Sequence, residues 1–221
     1  MTDLKYRALV LDVDSTVSGI EGIDWLAARR GPDVAQRVLE LTRRAMEGEL
    51  ALEDVYGSRL SEIRPGREDL EALSHAYLAR LAPGVTESVA RIRRAGVRVT
   101  LVSGGLRPAL LGLVSHLGLA QSDLHAVSIE FDAAGAYVGY DTQSALTKAD
   151  GKARVVSELR LPRPIMAVGD GATDLAMREV VDSFVAFTGF VVRPRIVASA
   201  DATASSFAEL ERLLLSEPKE P

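Results

Sequence analysis

Hydrophobic positions along the chain fall into short continuous apolar runs separated by stretches of helical period. Residues 7–13 form the first run, which ends where Asp12, Val13, Asp14, Ser15 and Thr16 follow Leu11. A strand buried on both faces reads as such an unbroken run, whereas a half-exposed strand alternates. Between 21 and 80 the period lengthens. Trp25, Leu26, Val34, Val38, Leu41 and Ala45 recur at three- and four-residue spacing, as do Leu52, Val55, Leu60 and Ile63. Helices are expected there and no strand, with Gly31 and Pro32, Gly48 and Glu49, and Pro65 and Gly66 as breaks between them. Beyond Pro83 and Gly84 the two patterns alternate. The spacing predicts a helix over 85–95, a strand over 97–102 ending in Ser103, Gly104 and Gly105, and a helix over 108–117. A hairpin of 126–131 with 137–140, a helix over 152–159 and a strand over 165–168 ending in Gly169 and Asp170 come next. A short helix from Ala172, a strand over 183–187 and a helix over 207–215 complete the series.

Strands alternating with helices specify an α/β fold with a doubly wound, mostly parallel sheet. The helical block interrupts that alternation after the first strand. The expected organisation is a core of residues 1–16 and 81–221 with a helical cap of residues 17–80 inserted between them. Ligands of such sheets bind beyond the carboxyl ends of the strands. Three strands here end in polar sequences, around Asp12, Ser103 and Asp170, and all three are expected to meet in one crevice.

Composition narrows the chemistry available to that crevice. The 221 residues include no cysteine and three histidines (His75, His116 and His125), so thiolate nucleophiles, disulfides and cysteine-ligated metals are excluded. There is no asparagine, which removes N-glycosylation. Acidic residues exceed basic ones, 31 to 26, for a formal charge of −5. That balance argues against a nucleic-acid binder, which presents a basic face. No apolar run reaches the roughly 18 residues that span a bilayer. No secretory signal is expected, and the expected location is the cytoplasm. Only four of the basic residues are lysines, at 5, 148, 152 and 219. Carboxylates, hydroxyls and one of those lysines must carry any catalysis.

Asp12 and Asp14 stand two apart where strand gives way to loop, so both can face the crevice. Close carboxylates repel, and either a divalent metal neutralises them or the pair shares a proton as an acid/base dyad. Asp170 and Asp174 bring further carboxylates to the same place. Oxygen donors without histidine or cysteine suit Mg²⁺ better than zinc. Ser103, Gly104 and Gly105 are expected to offer a hydroxyl and free N–H groups to an anion at the start of the following helix. Lys152 follows Gly151 at an expected helix start, where a cation opposes the helix dipole unless it reaches an anion.

An Asp-x-Asp, a Ser-Gly-Gly, a Gly-Lys and a Gly-Asp-Gly-x-x-Asp, in that order and on those elements, resemble the four motifs of the haloacid dehalogenase superfamily of phosphohydrolases. Glu21, Gly22, Ile23 and Asp24, the stretch from Thr42 to Met46, and Arg59 with Leu60 extend the resemblance into the cap. The resemblance implies that Asp12 attacks phosphorus and that Asp14 is the general acid and base. It also implies Mg²⁺ held by Asp12, the Asp14 carbonyl and Asp170, with Asp174 orienting a bound water. Ser103, Gly104, Gly105 and Lys152 would hold the phosphoryl oxygens. Glu21 would face a substrate amino group and Arg59 a carboxylate, with Met46 lining the pocket and Thr173 at its edge. The implied partner is a small phosphate ester of an amino acid, with no nucleic acid or membrane; the oligomeric state is left open. Glu47, where glycine is usual in the family, and the turn from Phe187 to Phe190 depart from the pattern and bear on substrate fit. A phosphotransferase, or a phosphatase of another ester, would use the same core motifs. A phospho-accepting receiver domain shares the acidic cluster and the lysine but needs no helical insert of this size.

Overall fold

The computed structural model describes residues 5–46, 50 and 52–215, the side chains of residues 45, 46, 52 and 53 excepted. Eight strands and ten α-helices occur along these residues. Strand β1 (Ala8–Leu11) is wholly buried and sits at the middle of a six-stranded sheet ordered β3-β2-β1-β6-β7-β8. Its neighbours are β2 (Arg98–Leu106) and β6 (Ile165–Gly169). Strands β3 (Leu124–Val127), β7 (Ser183–Phe187) and β8 (Ala202–Ala204) complete the sheet, and every pairing in it is parallel. Leu11 lies level with Leu101 on one side and Val168 on the other. Asp12, Ser103 and Asp170 therefore lie at the same carboxyl end of the sheet, because each follows those level positions by one or two residues.

Helices α1 (Gly22–Arg29), α2 (Pro32–Met46), α3 (Leu52–Ile63) and α4 (Arg67–Ala79) lie between β1 and α5 (Val85–Arg94) in the chain, and no strand occurs among the described residues there. The chain enters and leaves this helical block through two segments that run side by side. Gly19 N–H bonds the Arg80 carbonyl at 2.8 Å and Ala82 N–H bonds the Val17 carbonyl at 2.9 Å. Helix α5 shows why the pattern reads as helix. Val85, Ser88, Val89 and Ile92 line its buried face, while Arg91, Arg93 and Arg94 gather at its carboxyl end, where the dipole favours cations. Gly96 then stops it with φ +95°, a left-handed turn that a side chain would resist.

Helices α6 (Arg107–His116), α7 (Gly151–Glu158), α8 (Ala172–Leu175), α9 (Pro194–Ser199) and α10 (Phe207–Leu215) return the chain across the sheet. The expected strand over 126–131 divides at Ser128. Its first half ends β3, and its second, β4 (Ile129–Phe131), pairs antiparallel with β5 (Tyr137–Tyr140) as the expected hairpin. That hairpin packs on the helical block: Tyr140 meets Tyr56 with ring centroids 5.3 Å apart, and Arg67 N–H bonds the Gly135 carbonyl at 2.9 Å. Helix α9 and strand β8 were not expected. Both are short, six and three residues, too short to show a period. None of the described helices is long and apolar enough to cross a membrane.

Candidate active site

The turn after β1 aims two carboxylates in different directions. Val13 accepts the N–H groups of Thr16, Val17 and Ser18, and Ser15 is forced to a left-handed φ of +53°. Asp12 is thereby kept on the sheet side, buried, while Asp14 turns toward α1 and α4. Lys152, second residue of α7, is buried with its ammonium against Asp12 Oδ1 and 2.5 Å from Asp174 Oδ1. Burial alone would push the Lys152 ammonium down, but Asp12 and Asp174 outweigh it and hold the pKa above its ordinary value. Burial and the nearby Asp174 raise both Asp12 and Asp170, against the opposing pull of Lys152 and, at Asp170, of Arg193.

Carboxylate oxygens of Asp12, Asp170 and Asp174 lie within 4.8 Å of one another. These three carboxylates outnumber the cations in direct contact with them among the described residues, Lys152 and Arg193. An all-oxygen donor set of this kind suits a hard divalent cation. The residues present therefore fit a metal ion at this position.

Asp14 is bound on both oxygens. Gly22 N–H donates to Oδ2 at 2.8 Å and the Tyr77 hydroxyl to Oδ1 at 2.7 Å. Burial and the neighbouring Asp14 raise the Tyr77 phenol, so it is a neutral donor. Glu21, the residue before α1, accepts the Ser15 hydroxyl at 2.7 Å. Although nearly half of the Glu21 side chain is open, at 46%, loss of surrounding water raises its pKa to about 7, with Asp14 adding to the effect.

Ser103, Gly104 and Gly105 lie inside the second half of β2, and α6 starts only at Arg107. The expected place of these three residues at a helix start is thus corrected. The strand is prolonged through an irregular register against β3, and the Gly105 N–H is taken by Ser103 Oγ at 2.9 Å. Ser103 remains buried with its own O–H left to donate, and Tyr56 of α3 donates to the Gly104 carbonyl at 2.9 Å. Arg59, expected to stand ready for a carboxylate, is ion-paired with Asp24 of α1, while its buried Nε has no hydrogen-bond partner among the described residues. Thr173 is half-buried on α8. The side chain of Met46, and Glu47 altogether, lie outside the described residues. His75 and His116 are exposed and His125 is half-buried on β3; none of them bonds the carboxylate cluster.

Arg193 was missed in the sequence. Its Nε donates to Asp170 Oδ2 at 2.9 Å, and its guanidinium lies 3.6 Å from Glu21, so it joins the carboxylate cluster to the start of α1. It immediately precedes α9, a cation at a helix start like Lys152, and the same signal would have found it had α9 been expected.

A parallel sheet with three polar strand ends, a buried aspartate paired to a lysine and a three-carboxylate cluster defines a class. The chain belongs to the haloacid dehalogenase-like hydrolases, whose family model matches residues 9–179. Within that class it is similar to the phosphoserine phosphatase of Rattus norvegicus, 35% identical over 206 residues that make up 92% of this chain and 91% of the relative. Two solved phosphoserine phosphatase structures match it at 25% identity and a TM-score of 0.77 each. One is a phospho-aspartyl intermediate analogue, with 95% of this chain and 99% of that one covered. The other is a substrate-bound complex, with 96% and 98% covered.

Proposed function

We propose that this protein hydrolyses O-phospho-L-serine to L-serine and inorganic phosphate, in a Mg²⁺-dependent reaction through an aspartyl phosphate on Asp12. The observation that carries the reading is the buried Asp12 held against Lys152 beside Asp170 and Asp174. The similarity to phosphoserine phosphatases over nine-tenths of the chain supports the choice of ester.

Asp12 attacks phosphorus, and the bond from phosphorus to the seryl oxygen breaks with its electron pair going to that oxygen. Asp14 supplies the proton that makes it serine. A water molecule then gives its proton back to Asp14 and attacks the aspartyl phosphate, releasing phosphate and restoring the Asp12 carboxylate. Splitting the transfer in two avoids one difficult step, and general acid–base help is typically worth about 10²–10⁴-fold. Positioning and charge neutralisation do most of the remaining work in phosphoryl transfer. Lys152 and the Ser103 hydroxyl hold phosphoryl oxygens, with Gly104 and Gly105 giving them close backbone approach. Asp12, Asp170 and Asp174, with the Asp14 carbonyl, would hold Mg²⁺, which offsets repulsion between the carboxylate and the phosphate. Residues 17–80 act as a cap on a core of 1–16 and 81–221, a division supported by the paired entry and exit segments. From the cap, Glu21 takes the ammonium and Arg59 the carboxylate of the substrate. The buried Nε of Arg59, unpartnered among the described residues, supports that role, and a planar guanidinium can bind both carboxylate oxygens.

The test is phosphate release, with and without Mg²⁺, from phosphoserine, phosphothreonine, phosphoethanolamine and sugar phosphates. Strong preference for phosphoserine, lost in Asp12→Asn with the fold intact, is expected. Equal rates across the esters would remove the phosphoserine assignment, and an active Asp12→Asn variant would remove the nucleophile.

A further inference from the structure

We propose that Tyr77 is a positioning residue for Asp14: its hydroxyl, with the Gly22 N–H, fixes the plane of the carboxyl that exchanges protons with the leaving alcohol and the attacking water. The proposal rests on Asp14 being that acid and base.

An aspartate carboxyl rotates in a broad, roughly two-fold well about its last bond, so a single hydrogen bond does not define its plane. Here each oxygen has one donor from a different element, Gly22 at the start of α1 and Tyr77 near the end of α4. Each carboxylate oxygen has a second lone pair, so both remain able to serve the reaction. Tyr77 itself cannot shift freely. It is fully buried, its carbonyl accepts the Ser18 hydroxyl at 2.9 Å, and α4 packs along α6. Its hydroxyl occupies space that a side chain at Gly22 would need: a Cβ there would stand 2.2 Å from that oxygen, whereas one on Gly105 would make ordinary contact with it at 3.5 Å. One hydroxyl thus bonds the acid/base residue and packs closely against the first turn of the cap. Small displacements of reacting groups cost rate steeply, which makes the placement of this hydroxyl consequential.

The experiment compares Tyr77→Phe and Asp14→Asn with the wild type, using phosphoserine and p-nitrophenyl phosphate in Mg²⁺. Phenylalanine keeps the ring in the same cavity and removes only the donor. Nitrophenolate leaves without a proton, so aspartyl-phosphate formation from it does not need Asp14, whereas hydrolysis of the intermediate does. Tyr77→Phe should lower kcat for phosphoserine by about 10- to 100-fold, part of the range for general acid–base catalysis, with KM within about twofold. With p-nitrophenyl phosphate, rapid mixing should show a burst of about one nitrophenol per active site, followed by a steady phase slower than wild type. A melting temperature is measured on each variant. Unchanged kinetics with only a lower melting temperature, or a raised KM without the burst, overturns the positioning role. The Asp14→Asn variant separates the two ideas. If it bursts and Tyr77→Phe does not, only the Tyr77 role fails. If Asp14→Asn itself shows neither burst nor discrimination between leaving groups, the assignment of Asp14 fails first, and that of Tyr77 with it.

Discussion

Replacing Lys152 with methionine should be among the most destabilising single changes in this protein. The ammonium is buried between Asp12 and Asp174 and bonds one oxygen of each. Methionine fills similar volume but leaves two buried carboxylates without their cation. Removing one partner of a buried ion pair costs about 3–5 kcal/mol. For a chain of this size each kcal/mol moves the melting temperature by about 2–4 °C, so a drop of about 6–20 °C is expected near neutral pH. The loss should depend on pH in a definite direction. Lys152 is held above its ordinary value, so its stabilising charge is present throughout the neutral range and is lost only in strong alkali. Asp12 and Asp170 are also raised, so their protonated forms favour the fold in acid, and that contribution disappears as pH rises through their raised values. Without Lys152 the ionised carboxylates are unopposed at pH 8 and neutralised more readily toward pH 5, and the deficit should shrink on acidification. Added Mg²⁺ should restore part of it, by mass action on the folded state. The assay is thermal unfolding at both pH values with and without Mg²⁺, repeated on the double variant Lys152→Met with Asp174→Asn. The double variant should lose less than the sum of the single changes, because it removes one stranded carboxylate. A loss below about 1 kcal/mol, a deficit equal at pH 5 and pH 8, or strict additivity would each refute the reasoning.

If Glu21 holds the substrate ammonium, it must be ionised, and with a pKa of about 7 it ionises as pH rises through neutrality. The KM for phosphoserine should therefore fall between pH 6 and pH 8 in the wild type, and this slope should flatten in Glu21→Gln; parallel slopes would dissociate Glu21 from binding. Arg59→Ala should raise KM for phosphoserine about tenfold, equivalent to ~1.4 kcal/mol, with a much smaller change for an aryl phosphate lacking a carboxylate. Its partner Asp24 is half-exposed, so Asp24→Ala should change stability by less than about 1 kcal/mol; equal effects of Arg59→Ala on both substrates would exclude a carboxylate clamp. Gly22→Ala forces a Cβ to within 2.2 Å of the Tyr77 hydroxyl. Overpacking of that kind costs about 1–3 kcal/mol, read as a lower urea midpoint, and an unchanged midpoint would mean that the hydroxyl is not confined there.

What could be read in the sequence follows from periodicity. Strand β1 and helices α1 to α5 are long or strongly patterned, and the turn residues between them carry their own signals. Parallel pairing makes the ends of adjacent strands level, so placing Asp12, Ser103 and Asp170 at one end of the sheet required only the order of the elements. What the pattern could not give was detail set by tertiary contact. Whether β2 stops at Val102 or runs on to Leu106 depends on its neighbour β3, which draws four more residues into extended form. The pairing of Arg59 with Asp24 depends on how α1 meets α3, since 35 residues separate them. Tyr77 gave no signal at all: a tyrosine at an apolar helical position reads as core, and only the fold brings its hydroxyl to Asp14.

The residues that the sequence left unmarked share a physical reason for being there. A net charge of −5 and three clustered carboxylates, with Asp14 on the same loop as Asp12, make an unfavourable place for a phosphate dianion. Such a site works only if each carboxylate is held by a donor or a cation from elsewhere in the fold. Lys152 does this for Asp12 and Asp174, Arg193 for Asp170, and Tyr77 with Gly22 for Asp14. Motifs written in the chain specify which carboxylates do chemistry, because those must sit at strand ends. The groups that restrain them can come from any element that reaches the crevice, so Arg193 and Tyr77 become visible only once the elements are in place.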